Sequence, residues 1–131
     1  MQITRETDYA IRCVYYLAGK PDEVTMVDEI SKEMSIPKSF LAKILQKLSR
    51  AKIVRSYRGV KGGFRLAKRP ENISIDDVIK ATEGPVAMNI CAIDKKQCGF
   101  SDRCKIHPVW VSLRKDVEGI LKNKKFSQFI A

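Results

Sequence analysis

The chain has 131 residues, enough for one domain with at most a small appendage. Its 25 Lys and Arg outweigh 15 Asp and Glu, giving a net charge of +10 that favours an anionic polymer as partner. Hydrophobic residues make up 44% of the chain and can build a core, yet no apolar run reaches the ~18 residues of a membrane span.

The start, MQITRETDYAIR, is polar and carries acids, without the layout of a signal peptide. A cytoplasmic protein with no membrane partner is expected. In a reducing compartment its four cysteines read as ligands or thiols rather than disulfides. Thr4 or Thr7 can cap a first helix that runs to about Leu17. Ala10, Cys13, Val14 and Leu17 recur at i, i+3, i+4, i+7, so one face is buried, with Cys13 as a small apolar thiol. Tyr9, Tyr15 and Tyr16 add area. Gly19 and Pro21 end the helix. Thr25 is expected to cap a second helix, with Asp28 at its third position and Val27, Ile30 and Met34 facing inward.

The turn Ser35-Ile36-Pro37 leads into the most charged stretch, residues 38–69, KSFLAKILQKLSRAKIVRSYRGVKGGFRLAKR. It holds eleven Lys and Arg and no acid. Phe40, Leu41, Ile44, Leu45 and Leu48 follow one helix face. Lys43, Lys47 and Arg50 follow another. Two short helices joined by a three- to four-residue turn make a helix-turn-helix whose second member reads DNA. IVRSYRG and GFRLAK then predict two strands of a wing, with Gly59, Gly62 and Gly63 supplying positive φ at its tip. Lys38, Ser39, Phe40 and Lys43 lie at the N-terminal part of the helix, where Ser39, Phe40 and Lys43 meet bases; Phe40 fits the core equally well. Lys38, Lys47 and Arg50 are expected on phosphates, and Arg58 and Lys61 at the wing tip, with Arg58 entering the minor groove.

Ser74 caps a further short helix, IDDVIKATEG, with Asp76 and Asp77 at the positive end of its dipole. Residues 86–106 show little periodicity. From Pro108 a long helix runs to about Asn123, with a stripe of Val109, Leu113, Val117, Ile120 and Leu121 and Trp110 beside it. After a compact domain such a stripe calls for a second copy of the chain, or for the first helix. A homodimer also suits a palindromic operator in double-stranded DNA. The ending KFSQFIA is apolar enough to pack.

Cys91, Cys98, Cys104 and His107 form C-x6-C-x5-C-x2-H. Three thiols and an imidazole are soft ligands that suit zinc or the iron of an iron–sulfur cluster. The same His, just ahead of a helix, fits a capping role as well. Zinc would make this a zinc-stabilised nucleic-acid-binding protein, and empty cysteines a constitutive winged-helix repressor. Nothing points to an enzyme. There is no nucleophile–base pair, a single His, and GVKGGF is not followed by the Lys-Ser or Lys-Thr of a phosphate-binding loop.

TDYAIRCVYYLA, IPKSFLAKILQKLSRAKIV, the wing YRGVKGGFRLAK, ISIDDVIKATEG and the loop ending CKIHPVW together carry a family likeness. Over nearly its whole length the chain resembles the Rrf-type winged helix-turn-helix transcriptional regulators (IscR/NsrR/CymR-like). The resemblance implies an iron–sulfur cluster on Cys91, Cys98 and Cys104, a dimer made by the long helix, and operator binding that follows cluster state. It offers two fourth ligands: His107, as with a [2Fe–2S] cluster, or Asp8 of the other subunit, as with a [4Fe–4S] cluster. The six-residue first gap is one longer than is common there, so both stay open. The expected architecture is mainly α with a small β-wing: a winged helix-turn-helix DNA-binding domain over 1–84, a cysteine-rich cluster-binding loop over 85–107, and a dimerisation helix and tail over 108–131. The expected function is a homodimeric DNA-binding regulator, a repressor, released or retuned by redox change, nitric oxide or cluster status.

Overall fold

The computed structural model describes residues 2–130. Helix α1 (Arg5–Ala18) starts where Thr4 accepts the Thr7 N–H on its hydroxyl at 3.2 Å, satisfying one of the first turn's free donors. Ala10, Cys13, Val14, Leu17 and Ala18 are fully buried, as their spacing requires. Helix α2 (Val27–Met34) buries Ile30 and half-buries Val27 and Met34. It ends at Ser35, whose left-handed φ of 53° reverses the chain. The Ser31 hydroxyl braces that turn by donating to the Ile36 carbonyl at 2.6 Å. Helix α3 (Lys38–Arg50) follows from Pro37 and buries Leu41, Ile44, Leu45 and Leu48 against α1 and α4.

Thr25 does not cap α2. Met26 occupies that place and offers no side-chain cap. Thr25 is instead buried and joined to the wing: its N–H donates to the Phe64 carbonyl at 2.8 Å, and the Phe64 N–H donates back at 2.9 Å. The wing consists of antiparallel β1 (Val54–Tyr57) and β2 (Gly63–Leu66), with Val54 opposite Leu66 and Tyr57 opposite Gly63. The Thr25 bridge gives β2 a second partner, which ties the wing to the segment before α2. A two-stranded hairpin alone is marginal in water.

Of the three wing glycines only Gly59 has positive φ, at 114°. Gly62 and Gly63 serve a different need. A Cβ on Gly62 would stand 2.5 Å from the Tyr57 carbonyl oxygen, and one on Gly63 2.1 Å from that of Thr25. Close backbone approach, not handedness, demands glycine there.

Helix α4 (Ile75–Thr82) opens with a reciprocal cap. Ser74 accepts the Asp77 N–H at 3.1 Å, and the Asp77 carboxylate accepts the Ser74 N–H at 2.9 Å. Short 3-10 turns at Ile90–Ala92, Lys95–Gln97 and Ser101–Arg103 make up the cysteine loop. Helix α5 (His107–Lys122) lies chiefly along α4 and the first of these turns. None of its residues is fully buried, and Val109, Leu113 and Ile120 stand exposed. The tail, not α5, returns to the first helix. The Ile75 N–H donates to the Lys124 carbonyl and the Phe126 N–H to that of Ile73, which carries Phe126 to complete burial in the same core as α1 and α3. Ala131 lies outside the described residues. The architecture is mainly α with a small β-wing: five helices and one two-stranded sheet among the described residues. Among the described residues no helix is long and apolar enough to cross a membrane.

Candidate nucleic-acid interface and cysteine loop

Burying Leu41, Ile44, Leu45 and Leu48 turns the opposite face of α3 outward. Ser39, Ala42, Lys43, Gln46 and Arg50 are all exposed along it. Gln46 is a candidate base-reading residue that charge counting passes over, since an amide can pair bidentately with adenine. Its signal in the sequence is spacing: seven after Ser39 and three after Lys43. Phe40 takes a position between the two readings of it. It is 39% exposed, and its ring packs edge-on against Tyr9 of α1 with centroids 5.4 Å apart. Lys38 pairs with Asp28 of α2 at 2.9 Å, but both side chains are mostly in solvent, where such a pair is weak.

Lys47 departs from its expected place. Its Nζ lies 2.7 Å from Oε1 of Glu6 and donates to the Thr82 carbonyl at 3.4 Å. Thr82 in turn sits with its hydroxyl 2.6 Å from that of Thr7. Lys47 therefore fastens α3 to the seam between α1 and α4 and does not lie on the open face. Spacing puts it four residues from Lys43, yet the seam's acid and carbonyl draw it inward.

At the wing tip Arg58 and Lys61 are exposed and Val60 is 97% exposed. On the outer strand face Arg55 and Arg65 stand directly opposite each other. Like charges in that register repel, and Arg65 is drawn aside: its guanidinium donates to the Tyr57 hydroxyl at 2.6 Å and lies over the Tyr57 ring. Among the described residues, eight of the eleven cations in 38–69 have no carboxylate within 4.0 Å; only Lys38, Lys47 and Arg69 do. A surface so composed is a field for anions.

Cys13 is fully buried among apolar side chains, and burial pushes its thiol up to about 12, so it stays protonated and inert. In the loop Cys91 is buried, while Cys98 and Cys104 are partly exposed. The structure does not bring the expected ligands into one set: no three His, Cys, Asp or Glu side chains gather as a metal site among the described residues. His107 opens α5 and its Nδ1 is buried with no hydrogen-bond partner among the described residues. Asp8, on α1, is held by Arg12 one turn on at 3.0 Å. The loop is joined to α5 by Arg114, whose Nη1 donates to the carbonyl of Ala92 at 2.8 Å, next to Cys91.

A helix-turn-helix with an outward cationic recognition helix and a basic wing defines a DNA-binding protein of the winged-helix class. The chain belongs to the Rrf2 family, described as "Iron-dependent Transcriptional regulator", which matches residues 3–131. It is thus a DNA-binding transcriptional regulator and not an enzyme. It is 34% identical over 124 residues to a protein of Aquifex aeolicus (strain VF5) named as an HTH-type transcriptional regulator; the match covers 93% of this chain and 86% of that one. Among solved structures it is similar to CymR (YrzC), the global cysteine regulator of B. subtilis, with a TM-score of 0.78 at 23% identity, covering 98% and 95% of the two chains. IscR of T. potens has the same fold, with a TM-score of 0.74 at 20% identity over 98% and 85%.

Proposed function

We propose that this protein is a homodimeric repressor whose grip on a palindromic operator is set by an iron–sulfur cluster that senses redox state, nitric oxide or cluster status. One observation carries the reading. Three of the four cysteines, Cys91, Cys98 and Cys104, lie together in the segment between α4 and α5, and that segment is anchored to α5 through Arg114. Thiols placed for packing would be buried like Cys13; Cys98 and Cys104 reach solvent.

The donor chemistry fits the group. Cys91, Cys98 and Cys104 would hold it, with His107 or the Asp8 of a second subunit as fourth ligand. The uncommitted, buried Nδ1 of His107 is an atom in want of a partner. When bound, the cluster supplies reversible redox and gas chemistry. The rest belongs to the chain. Gathering the three thiols requires the loop to rearrange about the Ala92–Arg114 contact. The loop follows directly on α4, whose Thr82 holds Lys47 of the recognition helix. A change there can bias α3 only through a difference in affinity between two loop arrangements.

The exposed Val109, Leu113 and Ile120 of α5 support a dimer seam. Residues 1–84 then act as the DNA-binding unit, 85–107 as the sensing loop, and 108–131 as dimerisation helix and tail. In the complex Ser39, Lys43 and Gln46 meet base edges, Lys38 and Arg50 meet phosphates, and Arg58 and Lys61 hold the minor groove beside the half-site.

A regulator that uses no cluster is the second reading. The likeness to the global cysteine regulator CymR favours it. Anaerobic purification with iron and sulfide analysis decides between them. The cluster reading expects a brown protein with iron and sulfide in comparable amounts, and holo and apo forms that differ in operator affinity. A colourless protein carrying zinc, or Cys98→Ser with unchanged affinity for every promoter tested, overturns it.

A further inference from the structure

The cations of the basic stretch that lack a carboxylate partner fall into separate groups. Lys43 and Arg50 lie on the recognition face, and Arg58 and Lys61 at the tip. Arg65 is taken up by Tyr57. Lys52, Arg55 and Lys68 remain. These three, with Ser49 and Ser56, line one open concavity at the base of the wing, where the end of α3 meets the start of β1 and the end of β2. All three cations are exposed. Arg55 also faces Arg65 across the sheet, a like-charge register with no benefit to the isolated fold. Lys52 holds a left-handed φ of 61°, which a long side chain rarely adopts. Three unpaired cations and two hydroxyls around a hollow, with no acid among its lining residues, make an anion site of phosphate character.

We infer that this hollow is a second phosphate-binding site, and that its occupant is the sugar–phosphate backbone of the bound duplex, outside the bases that α3 reads. The inference rests on the reading that α3 enters the major groove. A recognition helix seated there by its N-terminal half carries its C-terminal end up to the backbone wall, as the homeodomain helix does. The hollow stands at that end of α3. Arg55 supplies a planar fork for phosphate oxygens, Lys52 and Lys68 supply point charge, and the serines supply neutral donors. Nothing in such contacts reads sequence.

The test uses the full chain with Lys52, Arg55 and Lys68 all changed to Gln, and Arg55→Gln alone as the milder variant, each checked for folding by circular dichroism. Binding is measured to a duplex selected from a random pool and to a random duplex of equal length, across a salt series. The triple variant should lose about tenfold on both duplexes alike, and its log K against log salt slope should flatten by about two. Arg55→Gln should move both readings the same way by less. Phosphate ethylation should mark backbone positions that matter to the wild type and not to the triple variant. Unchanged affinity and slope would sink the proposal, as would a loss confined to the selected duplex. Wild-type protein that takes up inorganic phosphate or adenosine monophosphate at this site, with duplex binding intact in the triple variant, would make the occupant a small phosphorylated molecule instead. Wild type that binds neither duplex would remove the DNA reading itself.

Discussion

Lys47 of the recognition helix is paired with Glu6 of the first helix, Nζ to Oε1 at 2.7 Å, across a seam that is about two-thirds closed to water. The pair gives α3 a fixed pose relative to α1, and the Thr82 carbonyl adds α4 to the same point.

Lys47→Ala should therefore behave as a stability variant. Losing the partner of a half-buried carboxylate costs about 1 kcal/mol, read as a fall in Tm of about 3–5 °C. Lys43→Ala, on the open face, should leave Tm unchanged and weaken DNA binding. Thermal melts beside binding titrations check the contrast; a Lys47→Ala protein with wild-type Tm would contradict the seam.

Gly63→Ala should cost more than Gly59→Ala. The new methyl at 63 would collide with the Thr25 carbonyl and push apart the two hydrogen bonds that hold the wing. At 59 nothing stands within 4 Å, and the only penalty is the positive φ, about 1 kcal/mol. Amide exchange at Phe64 and Thr25 should rise sharply in Gly63→Ala and little in Gly59→Ala.

The four thiols should separate by reactivity. Cys98 and Cys104 are partly exposed and should react with iodoacetamide in native apo protein, Cys91 slowly, and Cys13 only on unfolding. Cys13 also shapes the alkaline limb of stability. Unfolded, its thiol loses its proton near the ordinary value of 9; folded, it holds it up to about 12. Between those values the unfolded state binds fewer protons, so stability falls as pH rises. Cys13→Ala should flatten that limb in chemical denaturation between pH 9 and 11.

Phe126→Ala should lower stability by about 3–5 kcal/mol, because it empties a site at the centre of the core. That is a large loss for a residue five from the chain's end. Urea titration measures it, and a small loss would mean that the tail is dispensable.

If α5 forms the proposed dimer seam, Ile120→Glu, on a side chain 60% exposed in one chain, should leave the secondary structure intact and shift the proposed dimer to monomer. Sedimentation velocity reads the difference. Operator affinity should fall with it, since each half-site would then bind alone.

Much of the fold is legible in the amino-acid sequence. Leu41, Ile44, Leu45 and Leu48 announced the buried face of α3, and Ser74 announced the start of α4, because helix periodicity and caps are local properties. The basic face of 38–69 was legible for the same reason, since it needs only a count of charges and a helix period. Its division was not. Gln46 carries no charge to draw notice, and Lys47 shares the spacing of Lys43, so only the acid brought up by α1 sets the two lysines apart. Lys52, Arg55 and Lys68 lie on three different segments and meet only when the wing closes.

The sequence by itself determined the helices, the wing, the cationic stretch and a set of soft donors at Cys91, Cys98, Cys104 and His107. Those are matters of side-chain type and near-neighbour spacing. Tertiary structure alone decided that Thr25 completes the wing rather than capping α2, that Gly63 is needed for backbone approach, and that Phe126 closes the core. It also decided that Lys47 holds the recognition helix in place while Lys43 is free. Each of these depends on atoms from segments distant in the chain, whose meeting is set by how the whole core packs and by no local pattern.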